Sequence, residues 1–157
     1  MTAAHYTMVT IRAYQEADWP QLCSIHDAAR KTELGEANIK AGAFLPLEKC
    51  AQDKRLVGSK IIVAERDQKI LGFAAYSSHQ LVWLYVTPRH FSEGIGQQLI
   101  RHILARTDRP LDVQMLDGNR RALRLYQHMG FEIYKRTQGH IEGTNNVPAT
   151  GLTLRLR

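Results

Sequence analysis

The chain has 157 residues, 44% of them hydrophobic and 23% charged, the size and composition of one globular domain rather than a disordered or fibrous chain. A chain this long buries roughly two-thirds of its unfolded surface, so it needs no disulfide framework, and its two cysteines, Cys23 and Cys50, stand in no metal-ligand spacing. Lys plus Arg outnumber Asp plus Glu by 21 to 15; the resulting charge of +6 suits an anionic ligand, whether nucleic acid or a phosphorylated cofactor, and no apolar run reaches the length of a membrane span.

Residues 1–7 are polar and expected to be disordered, with neither the basic region nor the apolar stretch of a signal peptide; with unpaired thiols, this points to the cytoplasm. Residues 8–14 alternate loosely and predict a strand. Asp18-Trp19-Pro20 opens a helix, with Trp19, Leu22, Cys23, His26 and Ala29 at helical spacing as far as Leu34; Gly35 is expected to break it. Residues 36–58 are poorly patterned: AGAF reads as loop, and Pro46 as the opening of a short helix through Asp53. Residues 60–65 and 70–77 predict a hairpin across a short turn. Gln80 to Val86, QLVWLYV, is nearly all apolar, as expected of a central strand covered on both faces. Gly94-Ile95-Gly96 leads into a helix with Ile95, Leu99 and Ile103 on one stripe. Leu111 to Met115 is a strand. Asn119 caps the next helix, whose apolar face holds Ala122, Leu125, Tyr126 and Met129, and Gly130 closes it. Residues 131–136 predict a strand, 137–148 a polar loop and 150–156 a final strand. The order describes an α/β (α+β) domain over residues 1–157, a single mixed sheet with helices on both faces, without internal repeat or linker.

Chemistry concentrates in Leu84 to Gly96, LYVTPRHFSEGIG. A buried strand enters a glycine-containing turn and then a helix N-terminus, which aims several backbone N–H groups and a helix dipole at one point. The natural occupant is an anion, and glycine permits its close approach. Alone, Gly-x-Gly before a helix is a weak signal; a tight strand–helix turn gives the same pattern. The dinucleotide fingerprint lacks its third glycine, and no Gly-Lys-Ser/Thr follows. A second segment, Asn119-x-x-Ala122-x-x-x-Tyr126-x-x-x-Gly130-Phe131, strengthens the signal, because Asn119 and Tyr126 lie two helical turns apart on one face.

This pair of segments resembles the GNAT superfamily, the acetyl-coenzyme A-dependent N-acyltransferases. Specific matches cover residues 80–100 and 119–131, and the element order fits residues 8–156. The tail 139–154, with Gly143 and Asn145, resembles the closing hairpin of some bacterial members. The resemblance implies a mostly antiparallel sheet whose central strand carries a bulge and splays from its neighbour. It implies acetyl-CoA as cosubstrate, with the pantetheine arm on the backbone of Leu84, Tyr85 and Val86 and the pyrophosphate on the N–H groups of Phe91, Ser92, Glu93, Gly94, Ile95, Gly96 and Gln97. Asn119 would bind the cofactor as well as cap the helix. Tyr126 would protonate the leaving thiolate; as plain packing it would be a core aromatic.

Two positions depart from the family pattern. Gln80 stands where many relatives have a glutamate base, which leaves His79, acting through water, or Glu65 as candidates for the catalytic base; a solvent-facing strand end is the plain reading of His79, and a satisfied core histidine that of His26. Phe91 stands where Arg or Gln is usual, with Glu93 nearby, so Arg89 or the cluster Arg120, Arg121 and Arg124 would have to supply positive charge to the phosphates; otherwise that cluster is a solvated helix face. The implied partners are acetyl-CoA and an amine, small molecule or peptide, with no membrane. Nucleic acid is disfavoured because no aromatics interleave the basic residues. The chain is expected to be a monomer or homodimer. The substrate is expected to be set by residues 30–58 and 137–148. The rival reading is a degenerate domain that binds acyl-CoA as a sensor without turnover.

Overall fold

The computed structural model describes residues 9–39, 41–50, 58–141 and 147–157. Seven strands form one sheet: β1 (Thr10–Ala13), β2 (Lys60–Arg66), β3 (Lys69–Tyr76), β4 (Gln80–Val86), β5 (Leu111–Leu116), β6 (Glu132–His140) and β7 (Pro148–Leu156). Their spatial order is β1-β2-β3-β4-β5-β7-β6. Every neighbouring pair is antiparallel except β4 and β5. The helices are α1 (Trp19–Glu36), the short α2 (Leu47–Cys50), α3 (Ile95–Leu104) and α4 (Arg120–His128). None of them is long and apolar enough to cross a membrane.

Alternation along the central strands gives the sheet two buried faces. Val63, Ile70 and Phe73 face α1 and α2, where Leu22, Ile25 and Leu47 complete one cluster. Ile62, Ala64, Leu71 and Ala74 face the other way, toward Leu99, Ile100 and Ile103 of α3 and Tyr126 of α4. Trp83 and Tyr85 pack with the α1 side, Leu84 and Val86 with the α3 side. β4 is covered on both faces, as its apolar sequence requires. The β2–β3 hairpin turns through Asp67 and Gln68, both at positive φ (53° and 65°), the two-residue geometry that matches strand twist.

Several expectations are corrected. Helix α1 runs through Gly35, because nothing surrounds that glycine and a helical φ suits it. The stop lies at Asn38, left-handed at φ 59°: its N–H donates to the Gly35 carbonyl and that of Ile39 to the Leu34 carbonyl, a Schellman closure with asparagine in the usual glycine position. AGAF contains a single 3-10 turn over Ala41–Ala43. The helix expected from Pro46 is described as Leu47–Cys50; the rest of that expectation, residues 51–53, lies outside the described residues. The polar stretch 137–148 is not all loop. β6 continues to His140 and β7 begins at Pro148, paired from Glu132↔Arg155 to His140↔Pro148 with one bulge at Tyr134. Cross-strand backbone pairing here outweighs polar composition, since an exposed edge strand needs no apolar alternation.

Candidate functional site

β4 and β5 share only two register pairs, Gln80↔Asp112 and Leu81↔Val113, and then diverge. On its other edge β4 stays paired with β3 as far as Gly72↔Val86, but the register slips by one residue between Ala75↔Trp83 and Tyr76↔Leu81. Val82 is the extra residue of that bulge, and bulges turn a strand away from its partner. Past Leu81, the β4 backbone facing β5 therefore has no strand to pair with. A cleft of about 1210 Å³ occupies the opening and crosses the sheet from α1 to the start of α3.

At one end of the cleft is the turn before α3. Ser92 and Gly94 both take left-handed φ, 74° and 80°, with Gly94 as the N-cap. First-turn N–H groups of a helix have no partner within the helix, and here they open on the cleft through Gly94, Ile95, Gly96 and Gln97. Gly96 has a separate role: a Cβ there would lie 2.8 Å from Leu125 Cδ2, so its bareness lets α4 approach α3. Phe91 lies under the Arg121 guanidinium, 4.0 Å from the ring centroid, and Arg121 also donates to Glu36 Oε1 at 2.8 Å. One arginine thus joins the turn to the end of α1.

Glu93 points elsewhere. Its carboxylate meets His90 Nδ1 at 2.6 Å and Arg66 Nη2 at 3.1 Å, and these contacts, that with His90 foremost, hold its pKa below the ordinary value. The anion expected to oppose a phosphate is neutralised by its own neighbours, and the Glu93 side chain does not line the cleft. Arg121 and Arg124 do line it; Arg89 and Arg120 do not.

Tyr126 also lines the cleft, buried and edge-to-face with Phe131 at 5.7 Å. Burial, then the charge of Glu33, push its phenol well above the ordinary range, so it keeps its proton. Asn119 accepts from Ala122 N–H at 3.2 Å as the α4 cap and donates from Nδ2 to Glu33 Oε2 at 3.2 Å. Glu33 is paired with Arg30, yet burial still raises its pKa. The backbone before α4 needs glycine: Gly118 sits at φ 101°, and a Cβ would meet Ala37 Cα at 3.0 Å.

The other end is aromatic. Trp83 and Tyr85 of β4 cluster with His26 of α1, with ring centroids 5.9 and 4.8 Å from the imidazole and 6.2 Å from each other. His26 Nδ1 is 2.9 Å from Asp27 Oδ1, which also accepts from Leu47 N–H at 3.0 Å and so ties α2 to α1.

Of the residues expected to bind cofactor, Leu84, Tyr85, Val86, Phe91, Ser92, Gly94, Ile95, Gly96, Gln97, Asn119 and Tyr126 line this one cleft. His79 and Glu93 do not. His79 sits in the β3–β4 turn with its side chain 64% exposed, 4.0 Å from Asp108. Glu65 is held across the sheet by Arg12, 3.2 Å away. Sequence reasoning placed Arg30 and Glu33 only within the broad substrate stretch 30–58, and gave Trp83 no role in the cleft. A usable signal existed, because His26, Arg30 and Glu33 recur at four and three residues on the stripe that carries the buried face of α1.

Residues 57–133 match the model of the acetyltransferase (GNAT) domain. Over 137 residues the chain is 23% identical to the uncharacterized N-acetyltransferase YafP of Escherichia coli (strain K12), covering 86% of this chain and 89% of that protein. The fold matches a GCN5-related N-acetyltransferase from Rhodopseudomonas palustris with a TM-score of 0.70, at 22% identity and over 94% of this chain and 95% of that one. It also matches yncA of Salmonella typhimurium, whose structure contains its cofactor acetyl-CoA, with a TM-score of 0.66 at 18% identity, over 96% of this chain and 95% of that one.

Proposed function

We propose that this chain, a GNAT-type acyltransferase, transfers the acetyl group of acetyl-CoA to a primary amine by direct attack with both substrates bound, and that it does so in the cytoplasm. One observation carries the reading: the splay of β4 from β5 after Leu81↔Val113, which opens a strand's width of unpaired backbone into a cleft that ends at the α3 N-terminus. The residues fit an extended, amide-bearing ligand with a pyrophosphate at one end. The Leu84–Val86 backbone offers donors and acceptors along the gap, the turn at Ser92 and Gly94 offers N–H groups, and Arg121 and Arg124 stand beside it as cations.

Bound acetyl-CoA supplies the acetyl group activated as a thioester. The backbone of β4 fixes its position, and a β4 N–H aimed at the carbonyl oxygen stabilises the charge that develops there. The acceptor's nitrogen forms the new bond to the carbonyl carbon, the carbon–sulfur bond breaks, and Tyr126 gives the leaving sulfur a proton, recovering one from the amide nitrogen. A phenol held protonated by burial suits that role. Holding both reactants in one cleft removes much of the entropic barrier.

The test is thermal denaturation with acetyl-CoA, followed by an amine and peptide panel read by release of free thiol. Saturation at about 100 times Kd is expected to stabilise the fold by ~2.7 kcal/mol. An unchanged melting temperature at millimolar acetyl-CoA would overturn the cofactor assignment. A shift without thiol release from any amine would favour the sensor reading.

A further inference from the structure

We propose that His26, oriented by Asp27, is the catalytic base that takes the proton of the acceptor ammonium at the aromatic end of the cleft. The inference rests on the transfer reading above and identifies the group that Gln80 cannot provide. An alkyl ammonium has a reference pKa of about 10.4, so at neutral pH almost none of it carries the lone pair that attack requires.

His26 is only 2% exposed and lines the cleft. Its Nδ1 faces Asp27 Oδ1 at 2.9 Å, its one hydrogen-bond partner among the described residues. Among the described residues, no buried side-chain nitrogen or oxygen lacks a partner, so His26 Nε2, which has none, reaches open space, and the cleft is the space His26 lines. The ring packs against both Trp83 and Tyr85 of β4, which lie on the stretch past Leu81 that is splayed from β5. Asp27 is itself fixed by Leu47 N–H, which sets the carboxylate to accept from Nδ1–H and leaves the lone pair on Nε2. Asp27 is therefore a positioning residue.

The charged groups that act on the ring are Asp27 and Arg30 of α1; Tyr85 of β4 packs against it, and Lys49 and Cys50 of α2 line the same cleft. Burial, opposed by Asp27 and aided by Arg30, lowers the imidazole pKa from its ordinary value, which favours the neutral ring, the form a base must have. The ammonium gives one proton to Nε2. The freed lone pair forms the nitrogen–carbon bond as the carbon–sulfur bond breaks, and the second nitrogen proton leaves with the sulfur by way of Tyr126. The imidazolium then releases its proton to water, so one proton is liberated per turnover.

The experiment compares wild type, His26→Gln and Asp27→Asn by kcat/KM against pH, using one acceptor amine of high pKa and one whose pKa lies below 7. Wild type is expected to show an acid-side inflection below pH 6.5. His26→Gln is expected to lose that inflection and about 10²-fold in rate on the high-pKa amine, with little loss on the low-pKa amine, which needs no base. Asp27→Asn keeps an acceptor for Leu47 N–H and is expected to move the inflection to lower pH, since removing an anion disfavours the imidazolium. Nitrogen-15 spectra of the free protein, which need no turnover, are expected to show the His26 proton on Nδ1 at pH 7. Equal losses on both amines, an inflection that survives His26→Gln, or a proton found on Nε2 would overturn the role of His26 while leaving the transfer reading intact. If His26→Gln does not fold, an unmoved inflection in Asp27→Asn overturns it instead. Absence of wild-type turnover on every amine overturns both.

Discussion

The two ends of the cleft are built differently. The end beside α3 is made of backbone: a bulged strand, two left-handed residues and a helix start. The end beside α1 is made of side chains from distant elements, His26, Trp83 and Tyr85 packed together and Arg30 paired with Glu33. A backbone site requires a particular conformation over a few consecutive residues and tolerates many side chains. A side-chain site requires particular atoms and leaves the backbone free.

That contrast predicts where substitutions act. The largest effect is expected at Tyr126. Tyr126→Phe should lower kcat by roughly 10²–10⁴ while the acetyl-CoA Kd measured by calorimetry stays within about twofold. A Kd that weakens as much as kcat falls would return Tyr126 to packing. Next is Gly118→Ala, which strains a φ of 101° and pushes against Ala37 at the end of α1. About 1–3 kcal/mol should be lost in urea denaturation, and the loss shows whether the two ends are mechanically joined there.

Smaller effects should appear at the end beside α3. Phe91→Arg adds a cation beside Arg121 and should tighten acetyl-CoA several-fold at low salt, with the gain shrinking as salt rises. Weaker binding would mean that the Phe91–Arg121 stack is what presents Arg121. The smallest effect is expected at His79, which is exposed and outside the cleft. His79→Ala should leave the acid-side inflection of the rate profile in place, and its disappearance would transfer the base role away from His26.

How much of this was legible follows from the same contrast. The central strand, the glycine turn and the Asn119–Tyr126 helix were read within a residue or two, because each is encoded by contiguous apolar runs, caps and glycines. Asn38 was not legible as the stop of α1, since asparagine takes the left-handed conformation only when the surrounding turn closes on it. The length of β6 was hidden because all nine of its residues are exposed and show no alternation. The pairing of Glu93 with Arg66 and His90 joins residues up to 27 positions apart, and the tie between Asn119 and Glu33 spans 86. No local pattern marks such contacts.

The divergence of β4 from β5 also leaves the sheet joined by a narrow seam. Two halves of one sheet are coupled directly by only two residue pairs, so amide protons along the open edge of β4 should exchange with solvent much faster than those shared with β3. A ligand that pairs with that edge acts as a temporary eighth strand and couples the halves, so its binding should slow exchange far beyond the residues it touches. The fold thereby turns occupancy of one cleft into rigidity of the whole sheet.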